Sequence, residues 1–375
     1  VQKPYLAGIT YLIMYLQTIT AFFSTKELIL IGIILCMIIL VFLLLLYTVI
    51  LRILYNAKKK YIEHKQVFWE KFLFGYLAGK LSEKELSRFN LRYGDWVDFG
   101  VFIENYLVNL KGEDYEAIIQ LLREIGFHTK LMRALDKKNQ WEKIYSIYFL
   151  GIMKYRPAEK KLIEMVYDTS PEIFMNAFET LSKIGTIKDI HNIIKFILNS
   201  QYFIASKVTD IILSYGREIN PVLLQLLAEE DISDRSKRLI VDVFAANNVV
   251  ESLPIIIELA NKTDDTELKI GCIKATGKIG GPESTLFLSK FMSSPDWVIR
   301  SQAVKAIGNM SSSDIIPELK MRILTDKNYW VRLYSAQALF GFGKWGKKEL
   351  ETLLEIHPSD DIAHIINYVL YEMEV

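Results

Sequence analysis

A near-constant step between small or apolar helix positions constrains this chain more than any other feature. The segments LKIGCIKATGKIG (268–280), VIRSQAVKAIGNM (298–310) and VRLYSAQALFGFG (331–343) align with one another. The alignment pairs Lys269 with Arg300 and Arg332, and Ala275 with Ala306 and Ala338. Extended backward, the equivalents of Ala275 are Val243, Ile211, Thr180 and Phe149, at steps of 31 or 32 residues. The pattern reads as helix after helix, with no strand-like alternation of useful length. A chain built this way forms a solenoid, because one helix pair cannot bury its apolar face alone and stacked pairs can. Seven such units are expected over residues 138–357.

Prolines and glycines support the register. Pro157, Pro221, Pro254, Pro282 and Pro317 each follow an aligned position by seven to eleven residues. That is where the second helix of a pair should begin, and a first helical turn tolerates proline. Ser170–Pro171–Glu172 and Asn220–Pro221 read as caps followed by proline. Gly185, Gly216, Gly280 and Gly343 are placed to close first helices, where a left-handed residue is often needed.

A second feature lies upstream. Residues 28–51, LILIGIILCMIILVFLLLLYTVIL, run for 24 positions without a charge. As a helix this run is about 36 Å long, against a hydrocarbon core of about 30 Å. It is too long for the apolar stretch of a signal peptide, and no small-residue cleavage site follows. A transmembrane helix is expected over 27–56, with Cys36 a small apolar filler. Arg52, Lys58, Lys59 and Lys60 crowd its C-terminal flank, while Lys26 and Glu27 cancel at the other. The positive-inside rule then puts the rest of the chain in the cytoplasm, and the N-terminus outside if the protein is single-pass. The same basic tract could touch anionic lipid head groups. Residues 1–26 hold an uncharged stretch, 5–24, rich in Tyr, Thr and Gln. It reads either as an amphipathic helix at the interface or against a partner, or as a second span.

Residues 57–137 are expected to be a helical adapter. Tyr61–Lys80 carries an apolar stripe of Val67, Phe68, Phe72 and Leu73 or Phe74. Ser82–Glu85 has the form of a capping box. Asp95 is placed to cap the helix that follows it, and Gly126 to end EDYEAIIQLLREIG. At the other end, 358–375 is expected to be a C-terminal capping helix.

Composition narrows the function. Lys and Arg number 45 against 44 Asp and Glu, which argues against a nucleic-acid partner, since such binders are usually strongly basic. Two cysteines cannot make a disulfide framework. His64, His128, His191, His357 and His364 are scattered, and the nearest pair, in HPSDDIAH, fits no established metal spacing. No Cys-x-x-Cys, His-Glu-x-x-His or Walker sequence occurs. The glycine-rich GKIGGPES (277–284) lacks the Gly-Lys-Ser/Thr ending of a phosphate loop and reads as a turn. Trp297 and Trp330 stand at corresponding places in adjacent units. They read as packing between neighbouring first helices, although an exposed aromatic pair could stack a sugar or base. No catalytic, metal-binding or cofactor-binding residue is expected.

SSPDWVIRSQAVKAIG and TDKNYWVRLYSAQALFGFG carry a D…VR..A..AL cadence that resembles HEAT repeats, particularly the short bacterial kind also found in phycobilin lyase-type proteins. The resemblance implies an Asp–Arg ladder between neighbouring units, with Asp296 and Arg300, and Asp326 and Arg332, as the matching residues. Lys237 and Ala205 stand where Arg would in earlier units. The expected fold is therefore all-α: an N-terminal transmembrane helix, then an α-solenoid of about seven HEAT-type helix pairs. Its long inner wall, usually lined by second helices, suits protein binding.

The phrase GEDYEAIIQLLREIGF, followed by LMRALDKKNQWEKIYSIYFLGIM, looks like the junction into the first repeat of a bacterial family of membrane HEAT proteins. Trp141 matches that family's pattern; Lys143 and Ile144 depart from it. This resemblance implies a membrane protein partner, namely a processive membrane glycosyltransferase of the cellulose- or hyaluronan-synthase kind in exopolysaccharide synthesis. The expectation is a non-catalytic, membrane-anchored scaffold or regulatory subunit with the lipid bilayer as its other contact. Alternatives are a general membrane-tethered adapter or a HEAT-type enzyme, bilin lyase-like or DNA glycosylase-like.

Overall fold

The computed structural model describes residue 14 and residues 25–92, 94–200, 204–310, 313–356 and 359–372. The expectation for 5–24 falls outside them, residue 14 apart. Every regular element among the described residues is helical. The chain divides into two units, 1–125 and 126–375.

The first unit is dominated by helix α1, Thr25–Leu77, 53 residues long. A helix of that length extends about 80 Å. The expected boundary near residue 56 is not a break. No glycine or proline lies between Gly32 and Gly75, so nothing interrupts the ladder of backbone hydrogen bonds. The apolar part of α1 is bare: Ile33, Leu40 and Leu45 are each more than half exposed. By length and composition this one helix can cross a bilayer.

The C-terminal third of α1 packs inward. Trp69, Phe72 and Leu73 are buried, with α3 (Trp96–Leu107) and α4 (Glu113–Glu124) against the helix. The Trp69 ring meets Phe99 edge-on at 5.3 Å, and Phe72 stacks on Phe89 at 4.0 Å. The short helix α2, Glu83–Arg88, starts with the expected capping box between Ser82 and Glu85. Asp95 differs from expectation. Its backbone is already helical, φ −93° and ψ −11°, and its carboxylate makes no cap bond. It instead accepts from Lys65 Nζ at 3.0 Å and Tyr61 Oη at 3.2 Å, tying α3 to α1.

The second unit opens with α5, Phe127–Ala134, after a turn at Gly126 with φ 69°. The expected adapter, 57–137, is thus shared: α4 closes the first unit and α5 packs on the first repeat. Seven helix pairs follow. Their first helices are α6 (Gln140–Ile152), α8 (Pro171–Ile184), α10 (Ala205–Ser214), α12 (Asp234–Asn247), α14 (Thr266–Ile279), α16 (Trp297–Gly308) and α18 (Tyr329–Phe340). Their second helices are α7 (Glu159–Val166), α9 (Ile190–Asn199), α11 (Asn220–Ala228), α13 (Leu253–Lys262), α15 (Pro282–Phe291), α17 (Ile316–Thr325) and α19 (Lys344–Ile356). Each aligned position from Phe149 to Ala338 falls in a first helix and is buried. Each first helix packs on the next, and α18 packs on the terminal helix α20, Asp360–Glu372. Ile365, Ile366 and Val369 of α20 are fully buried.

Pro221, Pro254, Pro282 and Pro317 lie in the first turns of second helices, and Pro157 in the 3₁₀ turn leading into α7. Asn220 differs from expectation. A 3₁₀ turn, Gly216–Ile219, runs straight into α11, so Asn220 is its first helical residue rather than its cap. Ser170 occupies the cap position of α8 but donates its hydroxyl to Glu172. Asn139, Ser233, Asp265, Asp296 and Asn328 do cap first helices with their side chains. Gly185 closes α8 in the left-handed region, φ 74°, and Asn248 takes the same conformation after α12.

Candidate binding surface

The repeats are joined by a contact that the sequence pattern foreshadows with different partners. Arg300 on α16 reaches into the following unit and grips Asp326 with two bonds, Nε to Oδ2 at 2.8 Å and Nη2 to Oδ1 at 2.9 Å. Its remaining nitrogen donates to the carbonyls of Ser294 and Pro295. The pair is largely shielded, with side chains 14% and 3% exposed. Burial by itself would push the Asp326 carboxyl up; the Arg300 bonds and the Asn328 amide outweigh it and hold the group below the usual range. Asp296 plays another part. It caps α16 through the Val298 amide at 2.8 Å, and Asn328 does the same for α18. The register explains the difference: Asn328 is one step of 32 after Asp296, and Asp326 corresponds to Ser294. Arg332, the counterpart of Arg300, is not joined to Asp326, and its buried Nε has no hydrogen-bond partner.

Other contacts stitch the earlier units, where the Asp–Arg cadence fades. Thr180 donates to the Ile147 carbonyl at 3.0 Å, and Ser236 to that of Leu198 at 2.7 Å, both in the core. Arg238 pairs with Glu267 there, and Lys320 with Glu349 between the last two units. Lys195 bridges Glu229 at 2.5 Å and Asp231 at 2.7 Å, while His191 meets Glu229 at 2.7 Å. These pairs hold one unit against the next.

The outward side of the first helices carries a graded row. One residue before each aligned position stand Tyr148, Glu179, Asp210, Asp242, Lys274, Lys305 and Gln337, half-buried or exposed. Carboxylates occupy units two to four of the row and ammonium groups units five and six. The basic end meets an aromatic platform. Lys305 Nζ sits 3.6 Å above the Tyr334 ring, and Trp330 stacks on Tyr334 at 5.9 Å. Trp297 and Trp330 remain 42% and 47% exposed. Trp297 opens α16 whereas Tyr329 opens α18, which places Trp330 one position later than Trp297 in the repeat. No sequence signal distinguished this platform from core, since both are aromatic residues at helical spacing.

The remaining expected residues are placed as follows. Arg52, Lys58, Lys59 and Lys60 all lie exposed on α1, with Lys58 3.8 Å from Asp98 and Lys59 3.9 Å from Glu63. Cys272 is fully buried in α14, and burial, with the Asp242 charge adding to it, pushes its thiol up to about 12. Within the 277–284 segment, Gly280 and Gly281 form the turn between α14 and α15. His357 lies outside the described residues. Among those described, no three His, Cys, Asp or Glu side chains gather as a metal site.

The HEAT repeats family (HEAT_2) matches residues 285–366. No curated protein matches the chain. Among solved structures, the complex of CpcE and CpcF of phycocyanin lyase from Nostoc is similar at 14% identity and a TM-score of 0.30, over 64% of this chain and 93% of that one. YibA of E. coli is similar at 15% identity and a TM-score of 0.39, over 76% and 99%. Human deoxyhypusine hydroxylase is similar at 16% identity and a TM-score of 0.29, over 74% and 97%. The described residues form an all-α solenoid of stacked helix pairs in which residues 285–366 match HEAT repeats, and the first unit carries one long apolar helix.

Proposed function

We propose that the chain is a non-catalytic, membrane-anchored scaffold or regulatory subunit, and that the protein it serves is a processive membrane glycosyltransferase in exopolysaccharide synthesis. One observation carries the first half: a bare apolar helix and a helical solenoid occur in one chain. The 24-residue apolar run offers water more side chains than a soluble protein tolerates, each worth about 1.5–3 kcal/mol on transfer. Insertion in a bilayer removes that cost. The basic flank at Arg52 and Lys58–Lys60 orients the span with the solenoid in the cytoplasm.

Stacked repeats offer a long surface, and the graded row ending at Trp330 and Tyr334 suits a protein partner of opposite charge order. The choice of a glycosyltransferase rests on the resemblance of residues 112–153 to the membrane HEAT family's junction. Affinity capture of the full chain in mild detergent, followed by mass spectrometry, tests it. Co-purification of a membrane glycosyltransferase is the expected result. Capture of an unrelated membrane protein would leave a general adapter, and a lone monomer would contradict the scaffold reading altogether.

A further inference from the structure

The first unit holds an apolar groove that the described residues of that unit leave open. It has a volume of about 760 Å³ and lies where the end of α1 meets α2. Phe68, Phe72, Phe74, Leu81 and Phe89 form its floor and walls. Phe68 and Phe74 are 58% and 50% exposed, an unusual cost for two phenylalanines in one small unit. The rim is basic. Lys71, Lys80 and Arg88 stand exposed around it. The one carboxylate there, Glu85, is bound by the Ser82 amide at 2.9 Å and hydroxyl at 2.7 Å.

We infer that this groove docks an amphipathic helical segment of a partner protein, apolar on one face and acidic on its flanks. The reading rests on the scaffold proposal for the partner being a protein. Three observations fix the occupant. The floor is aromatic and aliphatic, so the inserted face is apolar. The rim carries three cations against one committed carboxylate, so the flanks are acidic. From Phe68 to Ala78, one residue past the end of α1, the groove extends about 15 Å, the length of about ten helical residues. A helix laid in such a groove is a recurrent mode of peptide recognition.

Distance along α1 sets the bilayer aside as the occupant. The helix is continuous from Leu51, the last residue of the uncharged run, to Phe68. Those 17 residues span about 25 Å, while the head-group layer is only about 5–7 Å deep. Even a 40° tilt leaves Phe68 about 20 Å from the hydrocarbon.

The test uses the full chain in phosphatidylcholine nanodiscs and two labelled peptides, read by fluorescence anisotropy. Both carry leucines at positions i, i+3, i+4 and i+7; one has glutamates on its flanks, the other lysines. The glutamate peptide is expected to bind about ten-fold more tightly than the lysine peptide. A Phe68→Asp, Phe74→Asp double variant should lose that binding, and a Lys71→Glu, Lys80→Glu, Arg88→Glu variant should reverse the preference. All five side chains are exposed, so each variant should keep the parent's helical circular dichroism. Equal binding of the two peptides would overturn the assignment. So would unchanged binding by the double aspartate variant, or relaxation of a nitroxide at position 68 by lipid-soluble oxygen and not by a water-soluble paramagnetic complex. If capture finds no partner but the glutamate peptide binds, the scaffold proposal falls and the groove stands. If a partner co-purifies undiminished with the double aspartate variant, the groove assignment falls by itself.

Discussion

Arg300 and Asp326 concentrate the chemistry of the repeat boundary in one shielded pair. Replacing Asp326 with Asn keeps the shape and removes the charge, leaving Arg300 without its counter-ion; breaking such a pair costs about 3 kcal/mol. The folded Asp326 carboxyl titrates below its unfolded value of about 3.9. Its contribution is therefore complete above about pH 4 and is lost as pH falls through the folded value. Thermal melts at pH 7 and pH 3 should lie closer together for Asp326→Asn than for the parent; an unchanged gap would contradict the assignment. At Gly277 the issue is space. A Cβ there would stand 2.5 Å from the Cβ and 2.7 Å from the Cα of Ala306, backbone that cannot easily yield. Gly277→Ala should cost about 1–3 kcal/mol. Ala306→Gly in the same chain should restore only part of that, because the Cβ added at position 277 would still press on the backbone of residue 306, and a denaturant titration of single and double variants measures it. Cys272, with its thiol pushed up to about 12, should resist iodoacetamide at pH 8 until the solenoid is unfolded, as intact-mass spectrometry would report. The sequence made the Arg–Asp chemistry legible but not its partners. Asp296 and Asp326 look alike in a pattern, yet a two-residue difference in register makes one a helix cap and the other a cross-repeat acceptor.

Helix starts were the most readable elements. Small or apolar positions recurring at 31 or 32 residues located all seven first helices, because each must bury the same stripe against its neighbours. Proline marked five of the seven second helices, four in a first turn, where its missing N–H is harmless, and one in the 3₁₀ turn before α7. Side-chain caps were less legible. Asn220 and Ser170 have the right chemistry, but a continuous 3₁₀ turn and a nearby Glu172 redirect them. Where caps do form, their loss should register: Asp265, which accepts from the Leu268 amide at 2.6 Å, should cost about 1 kcal/mol when replaced by Ala. A urea titration of that variant checks it, and an unshifted midpoint would show the cap to be idle. The long helix α1 was read as two pieces because its composition changes from apolar to charged near Arg52. Composition sets the solvent that a helix prefers, whereas only glycine, proline or an unmet hydrogen bond ends it, and none occurs there.

For the whole molecule, the account joins two requirements in one chain. An apolar run of 24 residues is long enough to cross a bilayer, and stacked helix pairs give a surface suited to holding another protein. The exposed row and the groove beside α2 were invisible in the sequence, since a phenylalanine facing solvent and one facing the core are written with the same letter. The most direct measurement of the central claim is fractionation of native membranes with alkaline carbonate, followed by protease treatment from the cytoplasmic side. The account requires the full chain to stay in the carbonate pellet and the solenoid to be cleaved only from the cytoplasmic face. Recovery of intact protein in the carbonate supernatant, or protection of the solenoid from cytoplasmic protease, would contradict it.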